Sequence, residues 1–162
     1  MALVIEDGTQ VTGSNTYVSD AEYVAYAAAR GKTIGSDGTA REIELIKAMD
    51  YLEGYRDRFK GDKVAFDQSL QWPRTGVWID GSQKDSDDIP QELKNAQMEA
   101  AIITNATELL QQGEVKDVQS EKVDVIERSY FNGGSWSVIR TDTVDAYLNA
   151  LLQNVGLGVV RA

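Results

Sequence analysis

Three features of this sequence predict a mainly α fold, a four-helix bundle with a long ordered loop after helix 2 and a β-hairpin before the last helix. Four stretches show apolar residues at helical spacing, a long polar connection separates the second from the third, and Asn132-Gly133-Gly134 sits among β-branched and aromatic residues. An α+β domain with a larger sheet is the alternative. The 162 residues are read as a single domain, 1–162, long enough to bury about two thirds of its unfolded surface.

In chain order, Ala2–Ile5 is a short apolar run before Glu-Asp-Gly-Thr and reads as an edge strand able to join a sheet or a neighbouring chain. Thr16–Ser19 reads as extended, with Tyr17 turned inward. Ser19 is placed to cap a helix over Asp20–Arg30, with Asp20 and Glu22 near its positive end and Gly31 to stop it. Thr39 and Glu42 form a capping-box pattern ahead of Leu45, Ala48, Met49, Leu52 and Tyr55, the stripe of a second helix.

Residues Arg56–Ile89 make a connection far longer than usual, which must be pinned to the body. Phe59, Val64, Phe66, Leu70, Trp72, Val77, Trp78 and Ile79 are its available anchors. Within it, Leu70–Gly76 carries a Trp-Pro pair, in which proline pushes Trp72 into extended geometry and fixes how its ring leaves the backbone. Leu70, Trp72, Pro73 and Arg74 are therefore assigned as a structural anchor motif.

Pro90 opens the longest helical pattern, to about Gln112, with apolar residues on two faces, as suits a central or interface helix. Val115–Arg140 reads as the hairpin. Asp142 or Thr141 caps a last helix bearing Val144, Tyr147, Leu148, Leu151 and Leu152. The apolar tail 155–162 reads as a docking segment, with Val155, Leu157, Val159, Val160 and Arg161 as the contact residues for a partner.

Composition narrows the chemistry. The chain has no cysteine and no histidine, so thiolate metal sites, disulfides and histidine-based general-base catalysis are not available to it. No catalytic residue, metal site or cofactor is assigned, and the protein is expected not to be an enzyme; a hydrolase built on paired carboxylates rests only on abundant acids. Asp85-Ser86-Asp87-Asp88 could offer oxygens to a divalent cation, yet it lacks the glycine-containing loop and distal Glu of a calcium-binding hand and fits a solvated helix start better. The opening residues lack a basic n-region, so no signal peptide is expected, and no apolar run is long enough to span a membrane.

The formal net charge of −10 opposes binding to polyanions. Arg56, Arg58, Lys60, Lys63 and Arg74 do cluster, but Asp57, Asp62 and Asp67 alternate with them.

The motif set resembles a known family. Ala48-x-x-Tyr51-Leu52, Phe59-Lys60-Gly61, Gln68-x-Leu70-x-Trp72-Pro73-Arg74-x-Gly76 and Ile89-Pro90-x-x-Leu93-Lys94-x-Ala96 are similar to phage and prophage head–tail connector proteins, often labelled DnaT-like single-stranded DNA-binding proteins. Ala2–Thr9, Tyr17-Val18-Ser19 and Ser120–Val123 fit as well. The resemblance implies a virion adaptor in the neck: a homo-oligomeric, dodecameric ring beneath the portal protein, joined to a stopper or tail-completion protein, with double-stranded DNA passing through without specific binding. It implies host cytoplasm before assembly, and a C-terminal segment that reaches the portal. The alternative the label carries is single-stranded DNA binding, in which Trp72, Trp78 and Tyr55 stack bases beside Arg56, Arg58 and Arg74.

Overall fold

A computed structural model describes residues 2–106, 109 and 141–153 of the chain. Its helices are α1 (Asp20–Ala29), α2 (Gly38–Glu53), α3 (Gln91–Ala106) and α4 (Asp142–Leu148), with one 3₁₀ turn at Arg56–Arg58. Four two-residue strands lie between α2 and α3: β1 (Asp62–Lys63), β2 (Arg74–Thr75), β3 (Trp78–Ile79) and β4 (Ser82–Gln83).

The helix starts follow local chemistry. Ser19 caps α1 as the sequence predicts, and Glu22, expected only to favour the helix dipole, also accepts from the Ser19 amide to complete a capping box. The start of α2 differs from the Thr39/Glu42 expectation. Asp37 is its cap, accepting from the Ala40 amide at 2.9 Å, and a carboxylate so placed satisfies an orphan donor two residues earlier. Helix α4 starts at Asp142 as predicted, but no side chain caps it; the Thr141 hydroxyl donates instead to the Asp145 carboxylate at 3.0 Å.

The four-helix bundle is overturned. Among the described residues the chain is about 44% helix and 10% strand, a mixed α/β arrangement with two small antiparallel sheets. Helices α2 and α3, each 16 residues, pack along one another as the central pair, and α4 lies against α3. With 10 and 7 residues, α1 and α4 are too short to complete a bundle alongside them. The rest of the core comes from the connection, which is folded rather than looped.

That connection pairs β1 with β2, Asp62 opposite Thr75, and β3 with β4, Trp78 opposite Gln83. Asp80 and Gly81 turn the second hairpin with φ of 50° and 79°, the mirror-image geometry an Asp-Gly pair favours. Gly61 enters β1 at φ 67°, where a Cβ would run into the Thr75 carbonyl oxygen. Short strands satisfy backbone groups that an unstructured excursion over the core would leave orphaned.

The core gathers Tyr17, Val18 and Tyr23 with Leu45, Ala48, Met49 and Leu52 of α2, Leu93, Ala96 and Ala100 of α3, and Val144 and Leu148 of α4. Phe59, Leu70, Trp72, Val77 and Ile79 join it from the connection. Val64, Phe66 and Trp78, also expected as anchors, stay exposed. Ile43 of α2 is exposed as well. At the N-terminus, Ile5 forms a parallel bridge with Thr16, and Tyr17 is buried as predicted. The predicted hairpin at Val115–Arg140, the stretch after Ala106 up to Gln112, apart from Leu109, and the docking tail lie outside the described residues. Among the described residues no helix is long and apolar enough to cross a membrane.

Candidate functional site

Leu70–Arg74 folds inward. Trp72 is fully buried, its peptide bond to Pro73 is cis, and Phe59 meets its ring edge-on at 6.2 Å. The Trp72 amide donates to the Tyr17 phenol at 3.0 Å. Buried Gln68 staples the run by donating to the carbonyls of Leu70 and Pro73, at 2.9 and 3.0 Å. Gln71 is tied to Glu53 at the end of α2, its amide nitrogen donating at 3.1 Å and its side chain at 2.9 Å.

Arg74 is buried too, and its guanidinium is used up on backbone. Nε donates to the Lys60 carbonyl at 2.8 Å and Nη2 to that of Gly61 at 2.6 Å, while the group sits 5.9 Å from the Phe59 ring centre. Desolvation holds its pKa below the usual arginine value. A phosphate-reading arginine needs free donors; this one holds the entrance of β1 in place.

The structure thus disperses the set that could stack bases. Trp72 and Arg74 are internal. Tyr55 lies beneath Arg58, 5.1 Å from its guanidinium, and donates to Asp145 at 2.9 Å. Trp78 and Arg56 remain exposed, and Phe66 is wholly so at 101% relative exposure. Phe66 was predicted as an anchor; no periodicity marks it as exposed. A polar cleft of about 240 Å³ lies beside it, between Thr9–Thr12 and Ala65–Ser69.

A second assembly of backbone bonds fixes where the C-terminal segment leaves the body. Leu152 bridges Phe59 in antiparallel fashion; the Lys60 amide donates to the Leu151 carbonyl at 2.9 Å, and the Gln153 amide to the Arg58 carbonyl at 2.7 Å. Lys60 Nζ reaches the Ala150 carbonyl, and the Gln153 side chain reaches that of Phe59. Val155, Leu157, Val159, Val160 and Arg161 follow this clasp and lie outside the described residues.

Three buried glutamates, Glu6, Glu44 and Glu99, are marked by no pattern in the sequence. Glu44 of α2 accepts from the Tyr23 phenol at 2.8 Å, and Glu99 of α3 accepts from the Tyr26 phenol at 2.9 Å. Burial raises the Glu44 carboxyl above its ordinary pKa, against the pull of the Tyr23 bond and nearby Arg41. Burial and the neighbouring carboxylates likewise push Tyr23 and Tyr26 up. These pairs hold α1 onto α2 and α3, so their placement is that of tertiary ties.

The acidic run before α3 is partly spoken for, since Lys84 pairs with Asp88 at 3.3 Å. Among the described residues no group of three or more His, Cys, Asp or Glu side chains stands ready to hold a metal ion.

Comparison with curated proteins and with solved structures gives no match. A family model matches the chain over residues 1–162, and the protein belongs to the family described as "Putative DnaT-like ssDNA binding protein".

Proposed function

We propose that this protein is a head–tail adaptor of a phage or prophage virion, a structural protein of the neck rather than an enzyme. In this role copies assemble into a ring under the portal protein, meet a stopper or tail-completion protein below, and leave a channel for double-stranded DNA. The observation that carries the proposal is the inward use of Trp72 and Arg74. The family-like Gln-x-Leu-x-Trp-Pro-Arg run serves as an internal anchor for a rigid excursion, in a chain of net charge −10. An acidic surface repels phosphate, which lets DNA slide past without sticking. Val155–Arg161 is the segment offered to a partner, with the portal as the one the resemblance implies.

Mass photometry and cryo-EM of the full chain mixed with portal test this. Rings seated on the portal are expected. A chain that stays monomeric and never binds portal at high concentration overturns it.

A second reading is single-stranded DNA binding, favoured by the family description and by exposed Trp78 and Phe66. Both rings are free to stack bases, and stacking is worth about 1–3 kcal/mol per base. A salt-sensitive affinity for oligonucleotides at low ionic strength would support it over the adaptor.

A further inference from the structure

The N-terminal arm runs beside Asn15–Thr16, joined to it by an isolated parallel bridge at Ile5, and bonds to it along one edge. The Val4 amide donates to the Asn15 side chain, the Val4 carbonyl accepts from the Asn15 amide, and the Glu6 amide donates to the Thr16 carbonyl, all at 2.8 Å. Alternate residues of a strand direct their amide and carbonyl to opposite edges. Those of Leu3 and Ile5 accordingly face the other edge, where neither has a hydrogen-bond partner among the described residues. Glu6 is buried beneath the arm, whereas Ile5 and Asp7 are exposed.

The tail supplies a matching pattern. Set parallel to the arm, Leu157 falls opposite Leu3, Val159 opposite Ile5 and Arg161 opposite Asp7, so apolar meets apolar and the cation meets the carboxylate. The clasp at Arg58–Lys60 releases the chain at Gln153, leaving 154–162 as the length that must be accommodated. We propose that the tail of one copy adds as a parallel strand to the Leu3–Asp7 edge of the next copy, an edge unpaired among the described residues. Backbone bonds give such a contact its strength, and the alternating side chains give its register. The contact is heterologous, so repeated round a closed set it makes a ring. This rests on the adaptor reading and gives the tail a receptor within the ring in place of the portal.

The absence of native cysteine allows a clean test in the full chain. Ile5→Cys and Val159→Cys proteins are made separately, mixed and mildly oxidised. A disulfide-linked dimer of the two different chains is expected, several-fold above that formed with Val160→Cys, which the proposed register would set on the opposite face. Asp7→Arg should weaken self-association about two- to fivefold, and Arg161→Asp in the same chain should restore it.

Equal linking through Val160→Cys overturns the register. A bond formed only within the Ile5→Cys/Val159→Cys double variant, and never between mixed single variants, overturns the exchange between copies. Wild-type rings seated on portal without the Ile5–Val159 link would reject this contact alone, while absence of any ring or portal binding would reject the adaptor reading itself.

Discussion

The Trp72 amide donates to the Tyr17 phenol oxygen, a bond that joins the middle of the long connection to the segment just before α1. Both side chains are buried; the Tyr17 phenol satisfies the Trp72 backbone amide, while the Trp72 indole Nε1 has no hydrogen-bond partner among the described residues. Phe59 packs on the Trp72 indole, so two distant stretches of sequence, around Tyr17 and Phe59, meet at this residue. Trp72→Ala should cost about 3–5 kcal/mol, the range of large aromatic truncations in cores. Tyr17→Phe should cost about 1–3 kcal/mol, because it orphans a buried amide. Urea denaturation measures both, and a Trp72→Ala protein of unchanged stability that lost a partner would return the residue to a binding role.

Arg74 makes a different prediction, since its partners are carbonyls. Arg74→Met keeps much of the stem and removes the donors, leaving the Lys60 and Gly61 carbonyls short of partners. A loss of about 2–3 kcal/mol is expected, and adding salt should barely change it, because no carboxylate bond is being screened. Denaturation curves at low and high ionic strength check this. A loss that vanishes in salt would point to an ion pair instead.

How much of this was legible follows from where each signal resides. The Ser19 cap and the Leu45–Leu52 stripe are local patterns, and they fold as the sequence predicts; Leu70, Trp72, Pro73 and Arg74 are buried. The second hairpin was also written locally, in Asp80-Gly81 between Trp78-Ile79 and Ser82-Gln83, but the flanking pairs are too short for period-two alternation to register. The departure from a bundle was not local at all. It depends on the connection filling core space that short α1 and α4 leave open. Nor could spacing reveal Glu44 and Glu99, because each is buried only through a tyrosine contributed by another helix. For the tail contact residues, sequence pattern alone remains the basis.

Glu44 should make stability depend on pH in a definite direction. Burial raises its folded-state pKa above the unfolded value of about 4.5. The folded chain then holds the proton more tightly, so this contribution is fully present below the unfolded value and is lost as pH rises through the raised one. Glu44→Gln keeps the shape and cannot ionise. Relative to this variant, the wild type should lose stability as pH rises above the unfolded value and through the raised one, a difference read from paired melts. A gap that stays constant with pH would show that the carboxyl carries no raised pKa.

Gly61 and Gly76 offer a matched pair at positive φ. Both lie in the left-handed region, at 67° and 73°, so alanine strains each backbone similarly. Only at Gly61 would the new methyl also meet the Thr75 carbonyl and a Val77 methyl; at Gly76 it enters open space. Gly76→Ala is expected to cost about 1 kcal/mol and Gly61→Ala clearly more, by thermal or urea unfolding. Equal losses would mean that the β1–β2 hairpin shifts to make room.

Trp78 separates the two functional readings most directly. The residue is 56% exposed on the second hairpin, so Trp78→Phe should leave stability within about 0.5 kcal/mol. A stacked base quenches indole emission, and Trp72 is too deeply buried to report it. The adaptor reading expects wild-type emission to stay unchanged as single-stranded oligonucleotide is added at low salt, since the net charge of −10 opposes approach. Quenching that appears in the wild type, weakens with salt and disappears in Trp78→Phe would instead make this hairpin a nucleic-acid contact, and would move the protein to the reading its family description carries.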